Sequence, residues 1–171
     1  MIKPTIIHFK EITSTNDYLK MHADELPHLT IISTDYQTKG RGQFDHVWIS
    51  NRNENILTSL LIKSINVLSV NDIKTKVIAL LKQFFHSFDI HTLFKEPNDL
   101  YVNDEKICGI LIESSYEAKV LKYVVIGIGI NINQVDFGGL PATSLKKIKQ
   151  KTYEISEIKN IFYQLVLKMF E

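Results

Sequence analysis

The densest run of chemically useful side chains lies between Lys95 and Ser115. Pro97, Asn98 and Asp99 make a polar turn ahead of a short strand. An Asn103-Asp104 turn then returns the chain as a second strand that opens with Lys106 and contains Gly109. This hairpin sets an acid (Asp99), an amide (Asn98) and a cation (Lys106) near one rim. Gly109 presents no side chain there, so another group can approach the backbone. An anionic ligand with a bound metal suits that set; so does a surface hairpin whose charges are simply solvated. Gln37 and Gly40-Arg41-Gly42 add a tight loop whose amides can form an anion-binding concavity, with a planar guanidinium beside it. Val124 to Asn133 reads as a buried strand with Gly127 and Gly129 on one face. Thr13 to Asp17 carries the residue types that cap helices.

These groups need a scaffold. Pro4 to Phe9, Thr30 to Tyr36 and Asn55 to Ile62 read as strands, and Asp17 to Glu25 as a helix capped by Ser14-Thr15-Asn16. Residues 72 to 88 place Ile73, Val77, Leu80, Leu81, Phe84, Phe85 and Phe88 at helical spacing, a stripe that belongs in a core. Strands dominate from Thr92 to Asn131, with turns at Asn103-Asp104 and Tyr116-Glu117. Residues 133 to 152 form a loop with room for one short helix. A last helix, Ser156 to Phe170, buries Ile158, Ile161, Phe162, Leu165 and Met169. Packed helices with a mixed, mostly antiparallel sheet make an α+β fold.

The chain has 171 residues, which suits one domain with a substantial core. A net charge of +1 gives no electrostatic reason to expect nucleic acid as a partner. No apolar run approaches the ~20 residues of a membrane span, and no signal-peptide pattern opens the chain, so the expected location is cytoplasmic. A single cysteine, Cys108, rules out an internal disulfide and fits a reducing compartment. Cys108 lies in an apolar run and reads as core. No His-x-x-x-His spacing suggests structural zinc.

Taken in order, these segments resemble the catalytic domain of biotin protein ligases. The resemblance rests on Ser14-Thr15-Asn16, Gln37 with Gly40-Arg41-Gly42, Lys95-x-Pro97-Asn98-Asp99, Lys106 to Leu111 and Gly127 to Asn131. Pro141-Ala142-Thr143-Ser144-Leu145 matches a later Ala-Thr-Ser-Leu segment. It spans nearly the whole chain. The fold it implies is the class II aminoacyl-tRNA synthetase-like α+β domain, covering residues 1–171. No helix-turn-helix precedes Thr5, so no DNA partner is expected. No C-terminal β-barrel follows the last helix.

The implied activity joins biotin to a lysine of a biotin carboxyl carrier protein, through biotinyl-5′-AMP made from ATP. The resemblance assigns catalysis to Lys106 and Arg41. It assigns biotin to Ser14, Thr15, Asn16, Gln37, Gly40, Arg41, Lys106 and Gly109. ATP or adenylate falls to Arg41, Gly42, Trp48, Lys95, Asn98 and Asn131, and Mg²⁺ to Asp99. The assembly it implies is a monomer or a homodimer. Glu96 stands where the family has tryptophan, and Gln43, Phe44, Asp45 and His46 replace a more basic, glycine-bearing loop. Two alternatives stay open: a lipoate ligase-like acyltransferase, and a non-catalytic binder of biotin or its adenylate.

Overall fold

The computed structural model describes residues 3–63 and 69–169. β1 (Thr5–Phe9) leads to α1 (Thr15–Met21), β2 (Thr30–Thr34), β3 (Asn55–Lys63) and α2 (Val70–His86). Four strands follow: β4 (Leu93–Lys95), β5 (Asp99–Val102), β6 (Glu105–Glu117) and β7 (Val120–Asn131). α3 (Leu145–Lys149) and α4 (Ile155–Met169) complete the order. All seven strands join one sheet in the order β1-β2-β3-β7-β6-β5-β4. β1 pairs with β2 in parallel and every other neighbouring pair is antiparallel. The expected mixed, mostly antiparallel α+β architecture is the one observed.

Helices cover both faces, which is why β3 is buried along almost its whole length. On one face α2 and α4 pack with Ile56, Leu60, Ile110 and Ile128 around Phe84, Phe85 and Phe162. On the other, Leu19 and Ala23 meet Ile32, Leu61 and Val125. The alternation of strand side chains sends each set to its own face. α2 begins at a capping box in which Ser69 and Asp72 satisfy each other's backbone N–H groups. Among the described residues no helix is long and apolar enough to cross a membrane.

Several boundaries differ from the sequence expectation, each for a local reason. α1 starts at Thr15 because Ser14 is its cap, accepting from the Asp17 N–H; Thr15 and Asn16 therefore lie in the first turn. The β6–β7 turn falls at Ala118-Lys119, both left-handed with φ of 47° and 67°, and not at Tyr116-Glu117. Paired left-handed residues match the twist of a two-residue hairpin. β2 ends at Thr34, where the side chain of Thr34 bonds the backbone of Tyr36 and turns the chain. In α4 the buried residues are Ile158, Phe162 and Val166, while Ile161 is exposed, so the stripe is rotated from the expected one. The expectation that this helix reaches Phe170 falls outside the described residues.

Candidate active site

The site lies on the α1 face, where sheet glycines leave a smooth floor. Gly127, Gly129 and Gly109 share that face, and Gly109 pairs directly with Gly129. Each missing side chain is replaced by a neighbour. A Cβ at Gly127 would meet Asn16 Oδ1 at 2.4 Å, and one at Gly129 would meet the Trp48 indole at 2.6 Å. A Cβ at Gly109 would meet the same indole at 2.7 Å. Gly109, expected to let a ligand lie on its backbone, thus carries Trp48. Gly40 likewise makes room for the Trp48 carbonyl, 2.7 Å from its added Cβ.

A polar relay runs behind this floor. Asn16 donates through Nδ2 to Glu113 and to the Leu111 carbonyl, which turns its Oδ1 toward Ser59. Ser59 donates to Asn16, and its hydroxyl lies 2.6 Å from that of Thr15, whose single proton is shared between Ser59 and Gln37 Oε1. Thr15 N–H holds Gln37 Oε1 at 2.9 Å, which leaves the Gln37 Nε2 donors for a ligand. The Gly-Arg-Gly loop is a small hairpin: Gly42 N–H bonds the His46 carbonyl and Trp48 N–H bonds the Gly40 carbonyl. Its tip, Phe44 and Asp45, is left-handed, with φ of 52° and 60°. Phe44 is 80% exposed there.

Arg41 Nη2 lies 2.8 Å from Asp17 Oδ1 and 2.7 Å from Glu113 Oε2. Burial works against the Arg41 charge, but these two carboxylates outweigh it and push the guanidinium further up. Burial alone would raise the Glu113 carboxyl. Hydrogen bonds from Lys20, Arg41 and Asn16, with the Arg41 charge, hold it below the ordinary carboxylate range.

Across the cavity, Lys106 Nζ lies 2.7 Å from Asp99 Oδ1 and 5.3 Å from the centroid of the Trp48 ring. The Asp99 contact is ionic: Oδ1 is buried and no donor points along a hydrogen-bond direction toward it. The Lys106 backbone is clamped by the Ala-Thr-Ser-Leu segment. Its N–H bonds the Pro141 carbonyl and its carbonyl accepts from Thr143 N–H, both at 2.9 Å. Asn131 Nδ2 donates to the same carbonyl. Asn98 ties the end of β5 to Ile110 through both backbone and side chain.

The resulting cavity of about 200 Å³ is lined by Ser14, Thr15, Asn16, Gln37, Arg41, Gly42, Trp48, Asn98, Asp99, Lys106 and Gly109, all singled out in the sequence. Gly40 and Asn131 are not part of this lining; Gly40 lines an adjoining cavity with Arg41 and Gly42. Lys95 is outside it, over the Tyr101 ring and 3.5 Å from Asp104. Buried Gln43 Oε1, Trp48 Nε1 and Asn131 Oδ1 have no hydrogen-bond partner, a cost that a polar ligand could relieve for those facing the cavity. Glu113, Ser59 and Thr58 were missed. Glu113 was findable, since it follows Gly109 and Leu111 at strand period on the same face. Cys108 is fully buried, which pushes its thiol up and away from nucleophilic use. Among the described residues no cluster of His, Cys, Asp and Glu could hold a metal by itself.

Residues 8–131 match the biotin/lipoate A/B protein ligase family. The bifunctional ligase/repressor BirA of Bacillus subtilis is 34% identical over 110 residues, 63% of this chain and 34% of that protein. Biotin–protein ligase 1, chloroplastic, of Arabidopsis thaliana is 29% identical over 182 aligned positions, covering 97% of this chain and 47% of the relative. The chain thus spans about a third to a half of the length of these relatives. A biotin protein ligase from Aquifex aeolicus, solved with biotin and ATP, superposes with a TM-score of 0.84 at 25% identity. That match covers 96% of this chain and 69% of the other.

Proposed function

Since the chain belongs to the biotin/lipoate A/B protein ligase family, we propose that it activates biotin with ATP to biotinyl-5′-AMP. It then transfers the biotinyl group to a lysine of a biotin carboxyl carrier protein domain. The observation that carries this reading is one cavity with Lys106 and Arg41 on its rim and Thr15 and Asn16 in its wall, tied together behind it by Ser59. Neutral donors and acceptors suit a ureido head, and paired cations suit the meeting of a carboxylate with a triphosphate.

In the first step a carboxylate oxygen of biotin attacks the α-phosphorus, and pyrophosphate leaves with the electron pair of the broken P–O bond. Two anions must approach, so the chain's contribution is position and charge. Lys106 Nζ would bridge the carboxylate and the α-phosphate. Arg41 would hold the phosphate in its loop, and Gln37 Nε2 would donate to the ureido carbonyl. Mg²⁺ would arrive with ATP and neutralise charge on the departing pyrophosphate. One carboxylate beside substrate phosphates and water is an adequate set for it, and Asp99 offers one. That carboxylate is shared, because Asp99 already holds Lys106. In the second step the carrier amine attacks the mixed anhydride and AMP leaves.

Exchange of labelled pyrophosphate into ATP tests the reading. Exchange that depends on biotin is expected. Exchange that depends on lipoate instead, or none with either acid, would overturn it.

A further inference from the structure

Glu113 stands outside the motifs that carry the proposed reaction, yet its carboxylate meets three side chains of the site. Its Oε2 accepts from Arg41 Nη2 at 2.7 Å and Asn16 Nδ2 at 2.9 Å, and its Oε1 from Lys20 Nζ at 2.8 Å. The side chain is only 22% exposed, so these bonds are not merely those of a solvated surface acid. Asp17 adds a second carboxylate to the same Arg41 nitrogen.

The pattern at Arg41 is informative. Carboxylates frequently take two nitrogens of the arginine fork side by side, which would occupy more of its donors. Here both carboxylates converge on Nη2, which carries two of the five guanidinium donors, leaving those of Nε and Nη1 outside the pairing. Because the group is planar, fixing one nitrogen from two directions fixes where the others point. The two anions are matched by Arg41 and Lys20, so the cluster opposes an incoming anion with no net negative charge.

We propose that Glu113 is a positioning residue: with Asp17 it holds Arg41 by Nη2, so that the remaining donors face the anionic part of the ligand. This rests on the reading of Arg41 as the anion-binding residue.

Glu113→Gln isolates the charge, since glutamine keeps an oxygen for Asn16 Nδ2. At saturating MgATP, kcat/KM for biotin in the exchange reaction should fall about tenfold, the equivalent of ~1.4 kcal/mol. In an Arg41→Ala background the same change should cost less than about twofold, because its target is gone. An equal loss in both backgrounds, or no loss in the parent, overturns the proposal. A second arm needs no activity. The Arg41 Nη–H resonances of the ligand-free protein should be resolved, because a guanidinium held by Nη2 rotates slowly about Nε–Cζ, and should merge in Glu113→Gln. Unchanged resonances also overturn the proposal. Absence of biotin-dependent exchange in the parent would count against the ligase reading alone, with the resonances still deciding the role of Glu113.

Discussion

Lys106 is bound into the fold more tightly than a rim lysine would be. Its ammonium neutralises Asp99, its side chain approaches the Trp48 ring, and its backbone is held by Pro141 and Thr143. Lys106→Ala should therefore do two separable things. Biotin-dependent pyrophosphate exchange should be nearly abolished. Stability should also drop by about 1 kcal/mol, because Asp99 is left without its cation while partial exposure screens the loss. Exchange rates and chemical denaturation read the two effects separately, and near-parental exchange by the folded variant would remove Lys106 from the chemistry. At this scale the sequence was informative about residues that sit in motifs: Lys106, Arg41, Asp99, Asn16 and Gln37 all reach the cavity. Strand period puts Glu113 on the face of Gly109, but the motifs name neither its partners nor Ser59. Their roles come from strand register, which brings positions far apart in the chain onto one face.

Single elements explain what the departures from the family pattern do. Asp45 lies at the exposed left-handed tip of the Gly40–Trp48 hairpin; it is not in the lining of the ~200 Å³ cavity but shares an adjoining one with Arg41, Gly42 and Gln43. Gln43 lines both. Gln43→Arg should hold the adenylate longer, since one charge-assisted contact of about 1.5 to 3 kcal/mol corresponds to roughly 10- to 150-fold. Asp45→Gly removes an anion from the cavity it shares with Arg41 and should lengthen retention too, but by less than Gln43→Arg. Following biotinyl-5′-AMP escape from each purified variant checks the pair, and equal retention by all three proteins would show that the hairpin's charge does not govern release. Glu96, in place of a tryptophan, pairs with Lys74 of α2 at 2.8 Å, outside the cavity lining. The floor makes its own prediction. Trp48 is the sole tryptophan, so its emission reports the cavity. In Gly129→Ala the added methyl would lie 2.6 Å from the indole, which must move. The emission should shift to the red, and exchange should fall. An unshifted spectrum would mean that Trp48 is not seated there. The glycines were legible as places of close approach. That a tryptophan from a distant loop does the approaching was not, because nothing local links position 48 to position 129.

For the molecule as a whole, the fold class and most elements were readable from period and turn residues, whereas the order of strands was not, since strand pairing is a long-range property. That order has a consequence in time. The ladder between β3 and β7 joins Asn55 to Asn131 and Ser59 to Gly127 across all of α2, β4, β5 and β6. Such a contact closes a long loop, and topologies rich in them fold slowly. The β6–β7 hairpin can form by itself, but Ser59, behind the wall, and the floor with Gly127 meet only when β3 docks. Before that moment the nascent chain has no pocket. A small molecule that recognises the finished cavity could therefore do nothing to hasten the chain's first folding; it would act afterwards, by slowing its undoing.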